Sequence, residues 1–283
     1  MATEFEMSES KPSPSAVQRS VNLPAEPARA RRLEHVSLLD LVRCGAITLP
    51  RTHRNQKAFF RFLRRAGSDR RFLAEMHRLR DSVILSTLSG KTAMGGVTVA
   101  LSGAAGREGT SLISLLMGLS LGECVHRRVA ILDGRFNFQR FSVLSELLGL
   151  SRNSVTLQKG SNEIVAYYNE ACSNIYFLRS SSAEESMQFF SDKRLGLFLT
   201  ELRKNFDFTI LDLPPLLNET ASLFALPFVD RLYIVAEAGK TRLPRIEKCI
   251  ATAREAGGQV TGVILNKQQT PLWGRLFWRE FFY

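Results

Sequence analysis

From Val97 onward the chain alternates two hydrophobic rhythms. Short, nearly continuous runs of Val, Ile and Leu recur at residues 97–102, 128–133, 174–179, 208–213, 230–237 and 260–266. Runs of that kind read as strands covered on both faces. Between them, apolar residues return at helical spacing in residues 111–123, 138–148, 163–171, 192–205, 219–226 and 243–256. Strand and helix in turn predict an α/β domain of three layers with a mostly parallel central sheet, over residues 95–270.

The pattern changes ahead of that domain. Residues 1–35 are poor in apolar side chains and carry Pro12, Pro14, Pro24 and Pro27 among Ser, Glu and Ala, so they are expected to be disordered. Residues 36–94 form a basic helical extension. Within it, residues 71–86 set Phe72, Met76, Leu79 and Val83 on one helical face, and Gly95-Gly96 then breaks the chain. In residues 57–65 four apolar side chains (Phe59, Phe60, Phe62, Leu63) are interleaved with Arg61, Arg64 and Arg65. Such a helix lies on an anionic membrane or covers the core while its arginines reach water. The tail, residues 271–283, places Trp273, Phe277 and Phe281 on one stripe, suited to docking on the domain's own helices or at a membrane boundary.

Composition narrows the class. The hydrophobic share of 45% and charged share of 23% are those of a globular protein. No apolar run reaches the roughly 20 residues that span a bilayer, and the N-terminus lacks the apolar core of a signal peptide, so a cytoplasmic location is expected. Cys44, Cys124, Cys172 and Cys249 are far apart, which argues against a zinc site or disulfide framework and for small buried residues. The four histidines (His35, His53, His77, His126) show no ligand spacing either. The net charge of +11 is concentrated: residues 51–80 hold ten Lys/Arg against Asp69 and Glu75. That patch favours an anionic partner such as a membrane surface. Nucleic acid is not expected, because no reading motif accompanies the charge.

In an open parallel sheet, ligands sit beyond the carboxyl ends of the strands. After the first strand comes Gly103-Ala104-Ala105-Gly106-Arg107-Glu108-Gly109-Thr110-Ser111, leading into a helix. Strand, small-residue loop and helix in that order cradle phosphate on backbone N–H groups. Against the pattern G-x-x-x-x-G-K-[ST], Ala104 stands at the first glycine, Gly109 at the second, Ser111 at the Mg²⁺-binding hydroxyl, and Thr110 where lysine belongs. The second strand ends at Asp133 and the fourth at Asp212. With Ser111 these carboxylates make an oxygen set suited to Mg²⁺, or they serve as structural hydrogen-bond acceptors. Asn266, ending the last strand, reads a purine edge or caps the strand.

Taken together, Ile-Leu-Asp133, Phe-Asp-Phe-Thr-Ile-Leu-Asp212-Leu-Pro-Pro, Gly239-Lys-Thr-Arg and Gly-Val-Ile-Leu-Asn266-Lys, following the loop, resemble the bacterial tyrosine autokinases of capsule and exopolysaccharide synthesis. These are P-loop proteins similar to the cell-division and partition ATPases. The resemblance implies binding of ATP (or ADP) with Mg²⁺ by Ala105, Gly106, Arg107, Glu108, Gly109, Thr110, Ser111 and Asn266. It implies metal ligation by Ser111, Asp133 and Asp212, with the two aspartates as catalytic residues. It also implies a membrane polysaccharide chain-length or export protein as partner; Glu75 and Arg78 resemble the start of the family's Glu-x-x-Arg-x-x-Arg self-association helix, although the next arginine, Arg80, comes one place early.

The departures carry as much weight. The family loop runs Ser-x-Pro-Gly-Glu-Gly-Lys-[Ser/Thr]; here Gly106 falls at the proline, Arg107 at a glycine and Thr110 at the lysine. The family's Asp-x-Asp-x-Arg at the second strand is Asp133-Gly-Arg135-Phe-Asn, and its terminal tyrosine cluster is reduced to Tyr283. Phosphoryl transfer is mostly positioning and charge stabilisation. One missing donor commonly costs about 10²–10³ in rate. The expectation is a nucleotide loop with catalysis lost or vestigial, acting as a regulatory partner. The rivals are an active autokinase using Arg107, and a membrane-localising ATPase-like switch.

Overall fold

A computed structural model describes residues 70–88, 95–122, 127–134, 153–158, 164–169, 172–180 and 194–268. The expectations for residues 1–35, 57–65, 138–148 and 271–283, for Arg135 and for Tyr283 lie outside these residues.

The first described element is helix α1 (Arg70–Leu88). The central strands β1 (Val97–Gly103), β2 (Val129–Asp133) and β6 (Phe208–Leu213) are buried at every position, as their unbroken apolar runs require. They join β3 (Asn153–Gln158), β4 (Ile164–Asn169), β5 (Cys172–Ser180), β7 (Arg231–Glu237) and β8 (Val260–Asn266) in one eight-stranded sheet. The spatial order is β3-β4-β5-β2-β6-β1-β7-β8. The β5-to-β8 portion is parallel throughout, and β3 and β4 add on antiparallel at one edge.

Two elements differ from the sequence reading. Residues 163–171 were expected to be helical, yet Ile164–Asn169 is strand β4. Its Ile-Val-Ala-Tyr-Tyr composition is β-branched and aromatic, and a strand partner on each side settles a run too short for periodicity to assign. Strand β3 carries too little apolar signal to be found without its partner. A third difference concerns β8. It is an edge strand in which half-buried and exposed positions alternate, with Val263 and Leu265 turned outward.

Helices cover both faces. On one, α1 and α2 (Thr110–Gly122) pack on each other and on Leu101, Ile131 and Ile210. Met76 and Val83 of α1 are buried there, with Phe72 and Leu79 half-buried beside them, so the expected face is the packed one. The other face is covered by α3 (Arg194–Asn205), the short α4 (Ala221–Ala225) and α5 (Leu243–Glu255). Gly118 lets α2 lie close on β2: a Cβ there would run into the Ile131 side chain. Among the described residues no helix is long and apolar enough to cross a membrane.

Candidate functional site

Four strand ends converge at the carboxyl edge of the sheet. β1 passes straight into the loop at residues 104–109, and α2 begins at Thr110. The loop turns through the left-handed region at Gly106 (φ 99°), Arg107 (φ 65°) and Gly109 (φ 91°). Glycine accepts those angles freely, and Arg107 holds one against the usual preference.

The Asp212-Leu-Pro-Pro segment braces the loop from one side. The Ser102 hydroxyl donates to the Pro214 carbonyl at 2.6 Å, the Leu216 N–H donates to the Gly103 carbonyl at 3.3 Å, and the Asn218 amide donates to the Ala105 carbonyl at 3.0 Å. The β8 end braces it from the other. Asn266 Nδ2 donates to the Glu108 carbonyl at 2.7 Å, while Asn266 Oδ1 accepts the Lys267 N–H at 2.8 Å. The Asn266 amide therefore holds the loop and orients the next residue.

Inside the loop lies a carboxylate. Glu108 is 1% exposed, and its two oxygens accept the Ala105 and Gly106 N–H groups at 2.6 Å each. Those short, charge-assisted bonds show that the loop's amides do receive an oxyanion. A side chain at position 103 would displace this carboxylate, since a Cβ there would meet Glu108 Oε2 at 2.5 Å. The same carboxylate acts on α5 beneath: burial chiefly, and then the Glu108 charge, push the Cys249 thiol up to about 11.

Thr110, in the lysine position, is 8% exposed and brings no charge. Among the described residues, the N–H groups of Gly109, Thr110 and Ser111 at the start of α2 meet no protein acceptor, and Ser111 is half-buried at the mouth. Open N–H groups at a helix start suit an anion. What the loop itself lacks is a cation aimed inward.

Asp133 and Asp212 end neighbouring strands in direct register and are 4% and 1% exposed. The Ser114 hydroxyl, one turn after Ser111 on α2, donates to Asp212 Oδ1 at 3.2 Å. Of the expected set, Asp133 and Asp212 are register partners on β2 and β6, and Ser111 lies one turn before Ser114 on α2. Among the described residues this set is not joined by a cluster of three His, Cys, Asp or Glu side chains. The Gly239-Lys-Thr-Arg element is a turn that starts α5: Glu237 N–H donates to Thr241 Oγ1 at 2.9 Å.

One participant was quoted in the sequence but given no role. Lys267 Nζ donates to the Arg107 carbonyl at 2.7 Å and to Glu237 Oε2 at 2.8 Å. That contact leads the causes that hold the Glu237 carboxyl below its usual range, with Lys240 adding to it. No periodicity or motif signals it; only the topology, which sets β8 beside β7 at the loop's open side, brings position 267 to position 107.

No family model matches the chain. The tyrosine-protein kinase ptk of Acinetobacter johnsonii is 26% identical over 180 residues, covering 60% of this chain and 23% of that protein. The putative tyrosine-protein kinase CapB of Staphylococcus aureus is 26% identical over 80 residues, 28% of this chain and 35% of the relative. The chain therefore spans well under half the length of either. Among solved structures, the kinase domain of VpsO superposes with a TM-score of 0.52 at 20% identity, over 69% of this chain and 97% of that one. The chain is thus similar in sequence to bacterial tyrosine-protein kinases and shares the P-loop-like α/β fold of the VpsO kinase domain.

Proposed function

We propose that this chain binds a nucleotide at the loop of residues 104–111 without transferring phosphate, and serves as a regulatory subunit in capsule or exopolysaccharide synthesis. The observation that carries this reading is the combination at the loop. The N–H groups of Gly109, Thr110 and Ser111 stay open at the start of α2, while the lysine position is a buried, uncharged threonine. Binding survives on amides and a helix N-terminus; transfer requires charge matched to the transition state.

In this reading, the N–H groups of Gly109, Thr110 and Ser111 receive the phosphates of ATP or ADP. Ser111, Asp133 and Asp212 hold Mg²⁺, which neutralises phosphate charge when bound. Arg107 is a poor replacement for the lysine: it is exposed, and guanidinium is a wide planar fork where a compact ammonium is needed. The partner is a membrane chain-length or export protein, approached from the cytoplasmic side through the basic segment at residues 51–80. These assignments extend to the chain what its resemblance to the autokinases implies.

The test is incorporation of label from γ-labelled ATP into the purified chain with Mg²⁺, beside Ser111→Ala. The expected result is no incorporation above that control. Labelling of Tyr283 above it would establish an active autokinase instead.

A further inference from the structure

We infer that Lys267, at the end of β8, supplies to a bound nucleotide the positive charge that position 110 does not provide. The inference rests on the nucleotide reading above and assigns the cation of that same site.

Three observations place the ammonium there. Its Nζ lies on the Arg107 carbonyl at 2.7 Å, so it already sits on the loop. Its stem crosses the loop on the way: a Cβ built on Gly109 would lie 3.9 Å from Lys267 Cε. The side chain therefore spans residues 107–109, next to the open N–H groups that begin α2. Its backbone, at φ 58°, is in the left-handed region that only a few per cent of non-glycine residues adopt, and the Asn266 side chain accepts its N–H while bonding the Glu108 carbonyl. One asparagine thus couples the loop's position to the lysine's direction.

The resting contacts suit exchange. The Lys267 side chain is 45% exposed, and its counter-charge is Glu237, whose carboxylate also takes Lys240 at 3.5 Å. An ammonium has three donors on a flexible stem and binds phosphate as a point charge. Trading one carbonyl and one shared carboxylate for polyphosphate oxygens keeps every donor satisfied. Arg107 contributes its carbonyl to this arrangement, and its guanidinium makes no bond among the described residues.

Calorimetric titration of the full chain with Mg²⁺-ATP tests the assignment, with thermal melting in the absence of nucleotide as a second readout. Lys267→Ala is expected to weaken binding roughly 10- to 100-fold, the range of a lost charge-assisted contact. Lys240→Ala touches the same carboxylate but not the loop, and should bind as the wild type does. Glu237→Gln, which removes the resting counter-charge, should bind more tightly. If Lys267→Ala lowers the melting temperature yet binds ATP like the wild type, Lys267 is a structural clamp and the inference is overturned, with the nucleotide reading intact. Equal losses in Lys267→Ala and Lys240→Ala, or no gain in Glu237→Gln, also overturn it. If the wild type shows no binding heat, the nucleotide reading fails and takes the inference with it.

Discussion

The centre of the sheet and its β8 edge meet at the same loop but are built on opposite terms. At the centre, Asp133 and Asp212 end strands that are buried at every position, and Ser114 reaches Asp212 from a helix whose residues 113–121 are all buried. At the edge, Asn266 and Lys267 end a strand with alternate positions exposed, and their polar groups turn inward to the loop. The centre is architecture, where a change of chemistry costs the fold. The edge tolerates change, and there a cation can be placed without burying it. A loop with threonine at position 110 keeps its shape because both sides hold it: the Pro214–Asn218 segment on one, the Asn266–Lys267 pair on the other.

That contrast has measurable consequences in denaturant unfolding. Leu101→Ala, at the fully buried centre of β1, should cost about 2–5 kcal/mol. Leu265→Ala on β8, 55% exposed, should stay within about 0.5 kcal/mol. Comparable losses at the two sites would erase the distinction. Ser114→Ala, which withdraws a buried donor from the Asp212 carboxylate, should cost about 1–3 kcal/mol. Asn266→Ala removes the bond to the Glu108 carbonyl, worth about 1 kcal/mol. Its clearer readout is faster amide exchange at residues 105–109 with the central strands unchanged.

The smallest effect is that of pH on the edge. The Glu237 carboxyl is held below its ordinary value of 4.5, chiefly by the Lys267 hydrogen bond. A depressed folded-state value gives stability that is present above the unfolded value and lost as pH falls through the folded one. Acidification through the lowered Glu237 value, which lies below 4.5, should therefore release Lys267 from Glu237, a change that Glu237→Gln abolishes; it can be followed through the exchange of the 105–109 amides.

How far the sequence discloses this structure depends on what kind of signal each part leaves. β1 and α2 are expected at residues 97–102 and 111–123 and occur at Val97–Gly103 and Thr110–Gly122, because burial on both faces imposes a long apolar run. β4 misleads, since six residues of mixed apolar and aromatic character satisfy either period until a strand lies beside them. The aspartates and Ser111 are visible because a polar residue ending an apolar run stands out. The carboxylate of Glu108 inside the loop is not visible in that way: the sequence shows a glutamate, and only the loop's curvature turns it toward the Ala105 and Gly106 amides. Lys267 is hidden for a related reason, being 160 residues from the carbonyl it touches.

The most direct measurement is calorimetric titration of the wild-type chain with ATP and with ADP, each with and without Mg²⁺. A loop that retains its amide cradle predicts saturable binding at one site per chain, strengthened by Mg²⁺ and abolished in Ser111→Ala only for the Mg²⁺-dependent part. Absence of binding heat for either nucleotide under every condition would contradict it, and would leave residues 104–111 as a turn whose only anion is Glu108.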